Sequence, residues 1–380
     1  MTSIRHVETC EGQSSVINKE NGDSVPAQCS CPSDVSVHNA VEQRRRTTDP
    51  GSLAGRFAGT SLVGMEGRSI ISSVDLNRVE VLDLLDLAAK LQSARPKIYG
   101  SLQDLIVLTA FFEPSTRTRL SFESAALRLG ANVISVPDGR VTSSQKGETL
   151  SDIGAMLKAY ADLIVLRHPS AAAPREIRRG GMDLPLINGG NGWDEHPTQA
   201  MADWFALLKW RPALADEVVN PTEQVSVGMV GTPRRMRSLR SFLLMAANAF
   251  PTAIRELVVV SEIADPIGLE LGDALRRAGI PIVVMRDFDV CASSFDIVYV
   301  NSLTLVGTSY HVLEDQTIVN AASPLKPDAV VMHPLARLEE LSDDLDDTPH
   351  NLYFDQAEGA VFVRQALLLA IAGRVESGIG

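Results

Sequence analysis

Apolar and polar positions follow two different periods along the chain from about residue 69 onward. Short runs of β-branched and other apolar residues, typical of buried parallel strands, alternate with longer segments in which apolar residues recur every three to four positions, as on one face of a helix. The predicted strands span residues 105–112, 132–136, 162–166, 184–187, 225–230, 256–260, 281–285, 296–300 and 329–332. The predicted helices span residues 74–91, 117–129, 149–160, 199–209, 238–248, 267–278 and 359–372.

This alternation predicts an α/β protein of two domains, each a parallel sheet flanked by helices, with the active site in the interdomain cleft at the carboxyl ends of strands. A chain of 380 residues is long enough for two such cores. Residues 1–65 are rich in Ser, Asn, Glu, Gly and Asp with little periodicity, so we expect a disordered leader. The predicted domains are residues 66–205 and 206–355, followed by a C-terminal helix within 356–380.

Composition narrows the classes of function. A net charge of −12 and a pI near 5.1 disfavour a nucleic-acid binder, because binding to the phosphate backbone depends on concentrated Lys and Arg. Four cysteines, Cys10, Cys29, Cys31 and Cys291, are too few for a disulfide framework and stand at no metal-site spacing. The sequence contains no apolar run of about 20 residues, the length that spans a bilayer. We expect a soluble cytoplasmic protein that uses no metal and contacts neither nucleic acid nor membrane.

Five consecutive residues with hydroxyl or guanidinium side chains, Ser115 to Arg119, stand where a predicted strand leads into a predicted helix. The first N–H groups of a helix have no partners within it, and its amino-terminal end is partly positive, so an anion meets preformed donors there. Arg117 adds a planar, charged pair of donors. Two interpretations stay open from these residues alone: a phosphate-binding site, or an ordinary capped helix with solvated arginines.

The same five residues are the first of several motifs that occur in order along about residues 69–374. The others are Lys146-Gly147-Glu148-Thr149-Leu150, Arg167-His168-Pro169, His196-Pro197-Thr198-Gln199, His333-Pro334-Leu335, Tyr353-Phe354 and Arg364-Gln365-Ala366-Leu367. With these motifs the chain resembles the aspartate and ornithine carbamoyltransferase family, in which the Ser-Thr-Arg-Thr-Arg stretch is the signature for carbamoyl phosphate. Any one motif could occur by chance, whereas the ordered set is highly specific.

The resemblance implies an enzyme that needs no cofactor and moves a carbamoyl group from carbamoyl phosphate to the amine of a small acceptor. The resemblance implies that residues 66–205 form the carbamoyl-phosphate-binding domain and that residues 206–355 form the acceptor-binding domain. It also implies that the C-terminal helix returns to the first of these domains. The residues that it implies for carbamoyl phosphate are Ser115, Thr116, Arg117, Thr118, Lys146, Arg167, His196, Gln199 and Leu335. Among these, Arg117, Thr118, Lys146 and His196 would be catalytic. In the family the loop that carries Lys146 reaches the active site of the adjacent subunit, which implies a homotrimer with shared sites.

The acceptor site departs from the family pattern. The resemblance implies that the acceptor contacts Arg167, Arg237, Ser302 and Thr304. Aspartate carbamoyltransferases carry an arginine and, two residues on, a glutamine where this chain has Ser302 and Thr304. Without the cation a second carboxylate would be unpaired, at a cost of about 2–5 kcal/mol. Ornithine enzymes carry a cysteine where this chain has Pro334. We therefore expect an acceptor with one carboxylate that is neither aspartate nor ornithine.

Two alternatives stay open. The chain could be an aspartate carbamoyltransferase of pyrimidine biosynthesis in which Arg234, Arg235 or another side chain makes the missing contact. It could also be a non-catalytic homologue that senses a ligand or serves as a scaffold, with the leader as an interaction arm. The intact residues for carbamoyl phosphate argue against this second alternative.

Overall fold

The computed structural model describes residues 48–94, 100–139, 147–179, 181, 183–301, 303–306, 309–312 and 319–375; for 303–306 and 309–312 it describes the backbone alone. Its strands are β1 Ile106–Phe111, β2 Asn132–Val136, β3 Leu163–His168, β4 Leu186–Asn191, β5 Val225–Val230, β6 Ile254–Val260, β7 Ile282–Met285, β8 Ile297–Val300, β9 Leu303–Val306, β10 Ser309–Val312 and β11 Val330–Met332. Its helices are α1 Arg78–Ala94, α2 Arg117–Arg128, α3 Leu150–Lys158, α4 Ala173–Arg179, α5 Pro197–Trp210, α6 Arg237–Ala249, α7 Leu269–Arg277, α8 Phe288–Cys291 and α9 Tyr353–Ile371.

Two parallel sheets form the centres of two α/β units. The strand order is β2-β1-β3-β4 in the first sheet and β11-β8-β5-β6-β7 in the second, and the paired strands of both sheets run parallel. Every residue of β4 and of β5 is buried, as expected for strands covered by helices on both faces. The remaining pair, β9 and β10, is an antiparallel hairpin. The predicted fold class, α/β with two parallel sheets flanked by helices, is confirmed.

The last part of the predicted leader is folded. Residues 48–65 contain two short 3-10 turns and pack beside α1, where Leu53, Leu62 and Met65 are buried in the core of the first unit. The carboxylate of Asp83 in α1 accepts hydrogen bonds from backbone N–H groups of this segment at 3.0 Å. The polar composition of the leader predicted that the entropy lost on ordering would prevent folding. In residues 48–65, three buried apolar side chains and hydrogen-bonded backbone groups offset that cost. The leader before residue 48 lies outside the described residues.

The C-terminal helix α9 belongs to the core of the first unit. It packs against α1, α2 and α5, and its residues 366–371 are buried without a break. None of the helices in the described part of the chain has both the length and the apolarity to cross a membrane.

Helix α5 joins the two units. It follows β4 of the first sheet and packs against α6 of the second unit as well as against α9. Twelve of its fourteen residues are buried, among them the polar Thr198 and Asp203. A helix enclosed on nearly all sides holds its side chains in fixed positions, so groups at its start are held firmly relative to both sheets.

Candidate active site

Most of the motifs singled out in the sequence lie at or after the carboxyl ends of strands, whereas Tyr353-Phe354 and Arg364-Gln365-Ala366-Leu367 lie in α9. In the first sheet β1 leads to the segment that begins α2, β3 contains Arg167 as its penultimate residue, and β4 leads to His196. In the second sheet β5 leads to Arg237 and β11 leads to His333. Because the carboxyl ends of parallel strands lie at one edge of a sheet, the two sheets present these residues to a common cleft.

The start of α2 is free to bind an anion. The side chain of Thr116, at the position before the helix, makes no capping hydrogen bond. An ordinary cap uses such a hydroxyl to satisfy a backbone N–H, so Thr116 leaves the first N–H donors of this helix without that partner. Arg117 lines the cleft, and partial burial lowers the pKa of its guanidinium. Within the described residues the guanidinium of Arg117 has no hydrogen-bond or ion-pair partner, and only its backbone carbonyl accepts a hydrogen bond, from Ser121. The geometry favours the anion-site interpretation over the capped helix.

Glu113 holds together two arginines that come from different units. Nη2 of Arg167 and Nη2 of Arg237 donate to Oε1 of Glu113 at 2.6 Å and 2.7 Å, and Nη1 of Arg237 donates to the carbonyl of Gly192 at 2.7 Å. Glu113 is only 5% exposed. Gly190 gives the arginines room, because at its φ of +118° a Cβ would lie 3.2 Å from the guanidinium carbon of Arg237. The free site thus supplies its own counter-ion to two cations.

His196 is a neutral, buried imidazole. Burial, followed by the positive charges of Arg167, Arg237 and Arg364, lowers its pKa well below the ordinary value. Its Nε2 lies 3.2 Å from Oγ1 of Thr118 at the start of α2. A neutral imidazole donates one hydrogen bond and accepts another, so this ring can polarise a carbonyl oxygen without gaining a charge in the free enzyme.

The segment after β11 forms another wall of the cleft. The backbone N–H of Leu335 donates to Nδ1 of His333 at 2.9 Å, and Nε2 of His333 lies 3.0 Å from Oε1 of Glu340. Because Nδ1 accepts, the proton of the neutral ring is on Nε2, which donates to Glu340. Burial lowers the pKa of His333. Leu335 has a φ of +52° and faces the cleft from a loop that the histidine fixes.

The cleft has a volume of about 630 Å³. The predicted site residues that it brings together are Ser115, Thr116, Arg117, Thr118, Arg167, His196, Gln199, Arg237 and Leu335. Lys146 and Ser302 lie outside the described residues, and Thr304 is described only as part of strand β9. The described residues contain no group of three or more His, Cys, Asp or Glu side chains suited to a metal ion.

Three charged residues of the site escaped the sequence analysis. Glu113 and Asp203 carry carboxylates that bond to Arg237 and Tyr299 of the second unit, 124 and 96 positions away, and no local pattern marks these contacts. Arg364 is 3% exposed in α9 and lines the cleft, and burial lowers the pKa of its guanidinium to about 10. The only indication of Arg364 in the sequence was its position in the Arg364-Gln365-Ala366-Leu367 motif, for which no role was predicted.

Taken together, these features define a class of protein: a two-domain α/β enzyme that gathers cationic and neutral hydrogen-bonding groups in a cleft at the carboxyl edges of two parallel sheets. Residues 68–209 match the family "Aspartate/ornithine carbamoyltransferase, carbamoyl-P binding domain", and residues 262–371 match "Aspartate/ornithine carbamoyltransferase, Asp/Orn binding domain". The chain belongs to the aspartate/ornithine carbamoyltransferase family and is a carbamoyltransferase.

Similar proteins and structures agree with this assignment. The aspartate carbamoyltransferase catalytic subunit of Chromobacterium violaceum is 34% identical over 80% of this chain and 97% of its own length. That of Hyperthermus butylicus is 35% identical over 82% of this chain and 98% of its own length. A Trypanosoma cruzi aspartate transcarbamoylase structure in complex with carbamoyl phosphate and aspartate has a TM-score of 0.70 and 29% identity, over 82% of this chain and 98% of that one.

Proposed function

We propose that this carbamoyltransferase transfers the carbamoyl group of carbamoyl phosphate to the amine of aspartate, giving N-carbamoylaspartate and phosphate. One observation carries the proposal: the cleft contains two exposed guanidinium groups, Arg117 and Arg235, that have no hydrogen-bond or ion-pair partner within the described residues. One lies at the start of a helix in the first unit, and the other lies in the second unit. They suit the phosphate of the donor and a carboxylate of the acceptor.

The chemistry follows from the positions of the polar groups. The hydroxyls and backbone N–H groups at the start of α2, with Arg117, bind the phosphate and stabilise its charge as it leaves. Neutral His196, beside Thr118, donates to the carbamoyl oxygen, where negative charge develops as the amine attacks the carbon. A bond forms between nitrogen and the carbonyl carbon, the bond from that carbon to the phosphate oxygen breaks, and the amine proton passes to the departing phosphate.

The similar proteins support aspartate as the acceptor over the unidentified amine that the sequence suggested. The relatives described above are aspartate carbamoyltransferases, and a Trypanosoma cruzi homologue binds carbamoyl phosphate and aspartate together. The expectation of an acceptor with a single carboxylate rested on the missing cation after β8. A cation supplied from another part of the cleft removes that objection.

Residues 234–240, which lead from β5 into the first turn of α6, include four arginines, and their partners distinguish them. Nη1 of Arg234 lies 2.9 Å from Oδ2 of Asp265, and Nη2 of Arg240 lies 2.9 Å from a carboxylate oxygen of Glu270. Arg237 is held by Glu113, as described above. Arg235 is exposed, lines the cleft and pairs with no described residue. We infer that Arg237 binds the α-carboxylate of aspartate and that Arg235 binds its side-chain carboxylate.

Replacing Arg235 by glutamine is expected to raise the KM for aspartate about tenfold and to change the KM for carbamoyl phosphate little, because a charge-assisted hydrogen bond to a carboxylate contributes about 1.5–3 kcal/mol. Steady-state kinetics with each substrate varied in turn measures both constants. The matched control is Arg234→Gln, which removes the neighbouring guanidinium that faces Asp265. Equal effects of the two variants would contradict the role of Arg235.

The acceptor itself is tested by incubating the full-length protein with carbamoyl phosphate and a panel of amines, and by measuring carbamoylated product and phosphate. We expect aspartate to be the preferred acceptor, with asparagine and ornithine at least tenfold poorer in kcat/KM. Preference for an amine with one carboxylate would restore the acceptor predicted from the sequence. Donor binding without product from any amine would favour the non-catalytic alternative.

We also propose that the site is completed by Lys146 of an adjacent subunit in a homotrimer. The support comes from the family pattern around Lys146 in the sequence. Mixing two inactive variants, Lys146→Ala and Arg117→Ala, under conditions that exchange subunits should restore part of the activity. In a mixed trimer some sites receive an intact Lys146 and an intact Arg117. A mixture that stays inactive after confirmed exchange would contradict shared sites.

A further inference from the structure

Asp203 is a fully buried carboxylate in the middle of α5, behind the cleft. It has no role in the chemistry described so far. An isolated carboxylate in such a place is costly, and it persists only where hydrogen bonds and opposite charge compensate for the lost water. The groups around Asp203 therefore indicate what its charge does.

Three donors converge on the two oxygens of Asp203. Nε2 of Gln199 and Nε2 of Gln356 both donate to Oδ1 at 2.8 Å, and the hydroxyl of Tyr299 donates to Oδ2 at 2.6 Å. The donors come from α5 itself, from α9 and from β8 of the second sheet. Arg364 of α9 supplies a positive charge nearby. One carboxylate thus joins both units behind the cleft.

The contact with Gln356 continues to another wall of the cleft. Oε1 of Gln356 accepts a hydrogen bond from the backbone N–H of His333 at 3.0 Å. His333 begins the loop that presents Leu335 to the cleft. An amide that donates with its nitrogen and accepts with its oxygen is fixed in orientation. Through Gln356 the carboxylate sets the position of this loop, and through Gln199 it sets another side chain that lines the cleft.

We propose that Asp203 is a positioning residue whose carboxylate holds Gln199 and the loop at His333–Leu335 on the two sides of the donor's carbamoyl group. The inference rests on the proposed use of carbamoyl phosphate, because it concerns the end of the donor away from the phosphate. Asp203 touches no substrate and acts through the two glutamines. The phosphate cradle at the start of α2 does not depend on it.

The protonation state of Asp203 then becomes part of the mechanism. Burial raises its pKa to about 6, although the hydrogen bonds from Tyr299, Gln199 and Gln356 and the charge of Arg364 favour the ionised form. The charged or titratable groups among the described residues that face it are Tyr299 from β8 and Arg364 from α9, while Gln199 and Gln356 present neutral amides. Below pH 6 the neutral acid is a weaker acceptor for the amides, so carbamoyl transfer should slow.

Asp203→Asn is isosteric and stands in for the protonated acid. At saturating substrates and pH 8 we expect kcat about tenfold below the wild type. The kcat of the wild type should fall on the acid side with a midpoint near pH 6, whereas that of the variant should change little. Asp273→Asn, on the face of α7 outside the cleft, is the matched control and should behave as the wild type. An Asp203→Asn enzyme with the wild-type kcat and acid limb would overturn the proposal.

Calorimetry with two probes tests the positioning without any acceptor. Phosphonoacetamide carries both the phosphonate and the amide of the donor, whereas inorganic phosphate carries only the anion. In Asp203→Asn at pH 8 the Kd for phosphonoacetamide should rise about fivefold or more, with the Kd for phosphate unchanged within twofold. Equal changes for both probes, or none, would contradict a positioning role. This result does not depend on which amine is carbamoylated. The experiment can therefore contradict the role of Asp203 without contradicting aspartate as the acceptor, and the amine panel can do the reverse.

Tyr299→Phe provides a second variant in case Asp203→Asn folds poorly. It removes the donor to Oδ2 and leaves both glutamine bonds in place. Because that donor stabilises the ionised acid, its loss should move the acid limb of kcat to higher pH, while the rate at pH 8.5 stays close to the wild type. An acid limb that does not move would show that another group governs it and would overturn the pH dependence proposed for Asp203.

Discussion

Alanine in place of Arg117 is expected to lower kcat/KM for carbamoyl phosphate about a thousandfold, the largest effect of any single change in the cleft. The guanidinium lies at the start of α2 without a described protein partner, so its charge is available to the leaving phosphate. Removal of one preorganised donor to a developing oxyanion typically costs about 10²–10³ in rate, and here the donor is also a full charge. Initial rates of phosphate release at varied carbamoyl phosphate measure the effect.

The control for Arg117→Ala lies at the other end of the same helix. Arg128 is exposed, donates to Ser124 and does not line the cleft. Arg128→Ala should keep wild-type kinetics, and both variants should keep the wild-type thermal midpoint within a few degrees. An active Arg117→Ala enzyme with normal donor affinity would remove the phosphate-binding role from the start of α2.

Glutamine in place of Glu113 is expected to lower the free energy of unfolding by about 3 kcal/mol, because two largely buried guanidinium groups lose their shared counter-ion. The side chains of Arg167 and Arg237 are only 10% and 12% exposed, so water screens their repulsion poorly. Saturating phosphate should recover more stability in this variant than in the wild type, because an anion in the cleft replaces the missing charge. Thermal unfolding with and without phosphate measures both effects.

Glu123→Gln is the matched control for Glu113→Gln. Glu123 lies on α2 and pairs with Arg119 at 3.3 Å in a more exposed position, where an i,i+4 ion pair contributes only about 0.3–0.5 kcal/mol. Its thermal midpoint should stay close to the wild type and should respond normally to phosphate. Glu113→Gln with wild-type stability in the absence of phosphate would mean that the two arginines need no internal counter-ion.

The strands were the easiest elements to predict from the sequence. The predicted range 225–230 coincides with β5, because a parallel strand buried by helices is a short continuous apolar run. The range 132–136 also coincides with β2, although the residues of that strand are only partly buried or exposed. β4 was harder, since it continues past the predicted end at Ile187 through Gly189 and Gly190 to Asn191. Those residues resemble a turn, but the structure uses small residues there to let Arg167 and Arg237 approach.

Helix ends depended on interactions that an apolar pattern does not contain. The helix predicted from Val74 begins at Arg78, because Asn77 and Glu80 exchange side-chain to backbone hydrogen bonds at 2.9 Å and 3.1 Å and so fix the first turn. The final helix begins at Tyr353, six residues before the predicted start. The helix Ala173–Arg179 and the β9–β10 hairpin were not predicted, since seven- and four-residue elements give too few periods to recognise.

The site was predictable to the extent that its residues occur in short motifs. The nine predicted residues that line the cleft come from such motifs or from the start of α6. Glu113 and Asp203 were not predictable, because their importance arises from partners 124 and 96 positions away. The identity of the acceptor was the hardest feature to predict from the sequence. Neighbouring arginines cannot be told apart by sequence, and only the structure shows which of them pair with a carboxylate.

The closure of the first unit by α9 has a consequence for synthesis on the ribosome. The backbone N–H of Gly67 donates to the carbonyl of Ile371 at 2.9 Å, so the segment before α1 meets the end of α9. α9 also covers apolar residues of α1, which begins about 275 positions earlier in the chain. A nascent chain therefore carries an uncovered apolar surface until α9 has been synthesised. Premature termination before Tyr353 would yield a product prone to aggregation rather than a smaller stable domain.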